Sequence, residues 1–293
     1  MEKNKGKHIV PLVYNKVFIQ CFYHNNGIKR LEYLVSDCLN IEYEKVKGNI
    51  KLLPRDLKND SNMSALTQVD FLLMLEGKTV NIEINRNIVP AIFNRNLVYA
   101  GKILATKYKV GDAYQTIDAV IQININNFKT NKEKIVEKYM LYAENSKEIF
   151  SDNLKIYNID ITKGIKKEYK YEKEEERIVN WCKLFVDQNS YTFEQTCDKI
   201  FSKEESKEFV KIMEELSNEN EIIRLEGETD EVILNTIKRG ARESGHKEGL
   251  EEGIEQEKLE IAKNLLNLKI DINSISKSTG LSIEKLNKLK EEK

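Results

Sequence analysis

Apolar residues recur at helical spacing from about residue 9 to residue 40. Over 28–39, Leu31, Leu34, Val35, Cys38 and Leu39 share one face of a helix. Pro54 and the polar run 58–62 break this pattern and predict a loop. From Thr67 the period changes. Val69, Phe71 and Leu73 alternate with Asp70, Leu72 and Met74, and both sets are largely apolar, as in a strand covered on both faces. Glu76-Gly77-Lys78 predicts a tight hairpin turn. The chain then returns as a second strand over 79–84. Val80, Ile82 and Ile84 take one face of it, and Asn81, Glu83 and Asn85 the other.

A helix is expected after Pro90, with Phe93, Leu97, Tyr99, Ala100, Ile103, Leu104 and Tyr108 at helical intervals up to Gly111. Residues 119–125 read as the next strand, with Ile123 and Ile125 alternating with Gln122 and Asn124, and 154–161 as another. The order is helix, two antiparallel strands, helix, strand, strand. It predicts an α/β or α+β fold in which helices pack on a central mixed sheet. Residues 163–177 are dense in charge, the composition of a solvated helix surface. From 178 to 238 the pattern is that of small packed helices, with Trp181 in their core. Gly240, Gly245, Gly249 and Gly253 recur among charged residues, which suits either a close helix–helix approach or a flexible linker. An amphipathic helix is expected over 259–268. Two short helices follow within 272–289, broken at Thr279-Gly280, with Ser282 as N-cap of the second, an arrangement like a helix-turn-helix. Three regions result: 1–163, 164–238 and 239–293.

Composition narrows the class. The chain has 293 residues, 32% of them charged, and a net charge of -1. A nucleic-acid surface must therefore be local, not global. Cys21, Cys38, Cys182 and Cys197 form no C-x-x-C pair, which argues against structural zinc and fits a reducing cytoplasm. The N-terminus lacks an apolar signal core, and no apolar run approaches transmembrane length, so no membrane association is expected. The richness in Lys, Asn and Ile fits an AT-rich bacterial genome.

The chemistry concentrates in residues 70–86. Asp70 and Glu83 lie on neighbouring strands of the hairpin, so their carboxylates can converge. Two carboxylates are a common protein share of a Mg2+ or Mn2+ site that leaves room for waters and a substrate phosphate. The Ile84 carbonyl, pointing sideways from the Glu83 side chain, is a candidate third ligand. Asn85 returns to the face of Glu83, where nucleases commonly carry a lysine that orients the attacking water. Asparagine lacks that positive charge and retains hydrogen-bonding capacity. Arg86 and Arg95 suit either phosphate contact or capping of the sheet carboxylates. His8, His24 and His246 show no ligand spacing.

The ordered set Asp70, hairpin, Ile82-Glu83-Ile84-Asn85, a helix bearing Arg95 and Tyr99, and the isoleucine-rich strand 120–125 resembles the PD-(D/E)XK nuclease core. More narrowly, it is similar to the recombination-promoting nucleases, also called PD-(D/E)XK nuclease family transposases. The glycine-patterned 240–253 and Ser276-Lys277-Ser278-Thr279-Gly280-Leu281-Ser282 extend the likeness to the tail. Two departures stand out: Asn85 replaces the usual Gln or Lys, and Val69 replaces the proline before Asp70. The resemblance implies a restriction-endonuclease-like fold followed by a helical C-terminal region. It implies a metal-dependent endonuclease acting on double-stranded DNA in recombination or mobile elements. It also implies an upstream acid on the first helix, for which Glu32 is the candidate, with Glu42 and Glu44 as competitors. Asn85 keeps open the alternative of a catalytically weak or inactive protein that binds DNA or regulates as an oligomer. The mixed charges of the tail suit a homo-oligomerising bundle somewhat better than a DNA reader.

Overall fold

A computed structural model describes residues 6–23, 27–57, 67–89, 91–107, 118–130, 132–217, 256–267 and 270–291. The chain divides into two compact units, Met1–Val232 and Ile233–Lys293.

The first unit is built on a six-stranded mixed sheet. Its strands are β1 (Ile50–Leu52), β4 (Phe71–Leu75), β5 (Lys78–Asn85), β6 (Val120–Asn126), β7 (Val136–Tyr142) and β8 (Ile149–Asp160), in the order β1-β4-β5-β6-β8-β7. The short β2 (Asp56–Leu57) and β3 (Thr67–Gln68) pair separately. β4 and β5 form the expected hairpin, with Leu75 paired to Lys78. Glu76 and Gly77 both have positive φ, 49° and 76°, as a two-residue type I′ turn requires. β5, β6 and β8 run parallel, and β7 returns antiparallel along β8. The link from β5 to β6 contains α4 (Ile92–Thr106), a helix that packs on β6.

The apolar face of the sheet meets α1 (Asn15–Tyr23) and α2 (Gly27–Leu39). It also meets α6 (Glu176–Val186), α7 (Ser190–Ile200) and α8 (Lys203–Leu216). Phe18 touches Phe22, Phe71 and Phe185, while Phe22 touches Trp181 and Phe209. Residues of α6, α7 and α8 therefore share one core with the sheet. Trp181 is core, as its spacing suggested, and its indole N–H donates to Asp37 at 2.7 Å. Arg30, fully buried, holds Glu205 at 2.5 Å and donates to the Cys21 carbonyl. The charged run does not make a long helix. After α5 (Ile161–Gly164) it is mostly irregular, with a single 3-10 turn at Lys173–Glu175 before α6. Pro90, Tyr108, Gly111, the loop 58–62 and the glycines of 240–253 lie outside the described residues.

In the second unit, α9 (256–267), α10 (Ile272–Thr279) and α11 (Ile283–Glu291) enclose Ala262, Ile275, Leu281 and Leu286. Asp271 caps α10, and Ser282 accepts from the Lys285 N–H, as expected of an N-cap. Gly280 ends α10 at φ 72°, a left-handed conformation that suits glycine. Among the described residues no helix is long and apolar enough to cross a membrane.

Candidate active site

The register of the hairpin brings the two acids together. Phe71 pairs with Ile82, so Asp70 stands at the end of β4 beside Glu83. Both carboxylates are buried, at 6% and 4% exposure. Asp70 Oδ2 accepts from the Ile84 N–H at 2.8 Å, and Asp70 Oδ1 accepts from the Asn15 amide. Glu83 Oε1 accepts from the Asn81 amide at 3.2 Å and from the Asp70 N–H at 3.4 Å. Burial raises the Asp70 carboxyl above its usual range, although the Ile84 N–H, Asn15, Arg55 and Arg95 pull it back. Burial and the adjacent Asp70 charge push Glu83 well above its range, with Arg95 and Asn81 opposing.

Arg95, from the first turn of α4, donates to Asn85 Oδ1 at 2.8 Å and lies 5.7 Å from the Tyr99 ring centre. Its guanidinium lowers the pKa of both acids, so its positive charge is felt at the pair. Asn85 Nδ2 in turn donates to Asn126 Oδ1 at 2.9 Å. The polar position after the glutamate thus carries an arginine brought in from the next helix. Arg86 is placed differently: it stacks on Tyr14, 3.8 Å from the ring centre, and donates to the Tyr14 hydroxyl.

Glu32 is not brought to the pair. Its carboxylate accepts from the Gly48 N–H at 2.6 Å and faces the Tyr43 hydroxyl at 3.4 Å, so it fastens the end of α3 (Tyr43–Val46) to α2. Among the described residues no cluster of three or more His, Cys, Asp or Glu side chains is placed to hold a metal. The donor set is therefore two carboxylates and whatever carbonyl joins them. It still fits a divalent cation. Two adjacent buried carboxylates, both biased towards holding protons, lack a full complement of positive charge and offer hard oxygen ligands. In an extended strand the N–H and C=O of one residue project to the same side. The Ile84 N–H reaches Asp70, so its carbonyl is on that side too.

The face of the sheet that carries Glu83 is paved with carboxamides, which the residue pattern left unremarked. Asn81 donates to Gln122 at 2.8 Å, Gln122 to Asn124 at 2.8 Å and Asn124 to Asn158 at 2.7 Å. The signal was present as Gln122, Asn124 and Asn126 at every second position, opposite Asn81, Glu83 and Asn85 in the parallel register. Asn15 and Arg55 gave no such signal, because they reach Asp70 from distant segments.

A family model described as PD-(D/E)XK nuclease family transposase matches residues 17–236. A second, described as the C-terminal HTH domain of the Rpn/YhgA-like nuclease family, matches residues 255–291. No curated protein and no solved structure matches the chain.

Proposed function

The chain belongs to the PD-(D/E)XK nuclease family transposases, and from that premise we propose that it is a divalent-metal-dependent DNA endonuclease. The observation that carries the reading is the buried Asp70–Glu83 pair beneath Arg95. Asp70, Glu83 and the Ile84 carbonyl would hold Mg2+ or Mn2+. When bound, the cation supplies Lewis acidity towards a phosphoryl oxygen. Arg95 supplies the fixed positive charge that a lysine at position 85 would otherwise bring, and its fork suits a phosphate. Asn85 keeps Arg95 in place through Oδ1, whose second lone pair is available to a water. Asn15 and the Ile84 N–H fix the orientation of Asp70. The chemistry is hydrolysis of a phosphodiester in double-stranded DNA, in keeping with a role in recombination or mobile elements. The helix-turn-helix tail supplies a second DNA contact and a surface through which copies associate.

The test is cleavage of supercoiled plasmid in Mg2+ or Mn2+ by the wild-type protein, Asp70→Asn and Glu83→Gln, with DNA binding followed by anisotropy. Nicking by the wild type alone, with binding retained in all three, is the expected result. Equal cleavage by all three would refute the site. Binding without cleavage by the wild type would favour a DNA-binding regulator that has kept the nuclease fold.

A further inference from the structure

A cavity of about 500 Å³ lies between α4 and the strands β6, β7 and β8. Leu97, Tyr139, Met140, Leu154 and Ile156 give it apolar walls. Four carboxamides, Asn94, Asn96, Asn124 and Asn158, line it as well. Asn96 is the informative one. It is 1% exposed, and neither its Nδ2 nor its Oδ1 has a hydrogen-bond partner. Each such buried orphan costs on the order of 1–3 kcal/mol, so a side chain that orphans both is out of place unless something else satisfies it. The amide chain that begins beside Glu83 runs through Gln122 and Asn124 and ends on Asn158 at this cavity. Each member presents its oxygen to the previous amide, which leaves the Asn158 NH2 as the terminal donor.

We propose that this cavity receives a nucleobase swung out of the DNA stack, an inference that rests on the endonuclease reading above. Among the described residues the lining contains no carboxylate, and its one cation is the exposed Lys132. A neutral ligand is therefore favoured over an ionic one. A carboxamide offers a donor and an acceptor side by side, the same pairing that a base edge presents. Apolar walls suit the faces of a planar ring, and extracting the base from its stack costs a few kcal/mol that such a pocket offsets. Position supports the assignment. Asn124 is the register partner of Glu83, and Asn158 that of Asn124. The cavity floor is thus one to two strand spacings, about 5–10 Å, from the acid pair. That is the span of one nucleotide from its phosphate to its base.

The experiment is saturation-transfer NMR on the full chain without metal, using the four 2′-deoxynucleosides, and indole as an apolar control. Transfer to the base protons of at least one nucleoside is expected in the wild type and in Asp70→Asn. It should be lost in Asn96→Leu, which removes the orphan amide, and in Leu97→Trp, which fills the cavity from a half-exposed position. If Asn96→Leu fails to fold, Leu97→Trp decides alone. Absence of transfer to any base in the folded wild type would overturn the proposal. So would transfer undiminished by Leu97→Trp, or transfer to indole alone. Plasmid cleavage by the same wild-type preparation separates the two readings. Cleavage without nucleoside transfer removes the base pocket and leaves the endonuclease. Transfer without cleavage removes the endonuclease and, with it, the DNA substrate assigned to the pocket.

Discussion

Replacing Arg95 tests whether an arginine from α4 stands in for the lysine that position 85 lacks. Arg95→Ala removes a charge-assisted hydrogen bond of 2.8 Å to Asn85 and the nearby positive charge that lowers the pKa of both Asp70 and Glu83. Loss of one fixed donor aimed at developing charge typically costs 10²- to 10³-fold in rate, or about 3–4 kcal/mol. Arg95→Lys keeps the charge and loses the fork, so a fall of roughly tenfold is expected. The double variant Asn85→Lys, Arg95→Ala returns a cation to the sheet and should recover most of the loss. The assay is single-turnover cleavage of a labelled duplex in saturating Mg2+, with anisotropy measured alongside. Without Arg95 both acids hold their protons more tightly, so the rate should also need a higher pH to reach its plateau. A wild-type rate in Arg95→Ala would refute the reasoning. So would a deficit that disappears at saturating DNA, because Arg95 would then only anchor phosphate.

Glu83→Gln should stabilise the metal-free protein. The folded-state pKa of Glu83 lies above the unfolded value of about 4.3, so between the two the native state keeps a proton that the unfolded state has released. Wild-type stability therefore falls as pH rises through that window. The variant is spared this loss, and its advantage should grow with pH, by about 2–4 °C in Tm for each ~1 kcal/mol, as calorimetry would show. A Tm difference that does not change with pH would contradict it. Arg30→Met strands Glu205 at 2% exposure, with the half-exposed Lys29, 3.5 Å away, as its one remaining ion-pair partner among the described residues. Urea unfolding should show a loss of about 3 kcal/mol, the low end for a broken buried pair, and Arg30→Met with Glu205→Leu should recover most of it. Removing 233–293 should weaken DNA binding at least tenfold, about 1.4 kcal/mol, and leave metal binding intact. Light scattering on the same pair of proteins reads whether the tail also joins copies: an unchanged mass would remove the oligomer from the account.

The elements that hold the acids were legible because their patterns are local. Alternation on both sides of Glu76-Gly77 gave β4 and β5, and the 3.6-residue period gave α4. The strand β7 was not read. It is an edge strand with a mixed burial pattern, and Glu137, Lys138 and Tyr139 supply no clean alternation. The joining of 164–217 to the sheet was also hidden, since the contacts of Trp181 and Phe209 with Phe22 span most of the chain. At the site, Asp70 and Glu83 followed from hairpin register, whereas Asn15 and Arg55 converge only through tertiary packing. Glu32 shows the opposite failure. Helical geometry put it on a plausible face, but the neighbouring turn claimed its carboxylate through the Gly48 N–H. Arg30 carries no signal of its role in sequence, because the partners that let it be fully buried, Glu205 and the Cys21 carbonyl, come together only in the fold.

The most direct test of the central claim is a calorimetric titration of Mn2+ into the wild-type protein, Asp70→Asn and Glu83→Gln, repeated in two buffers of different ionisation enthalpy. One cation should bind the wild type and displace protons, because both carboxyls sit above their usual range, so the heat should differ between the buffers. Either substitution should abolish or greatly weaken that binding. Identical binding by all three proteins, or no binding by the wild type, would contradict the account.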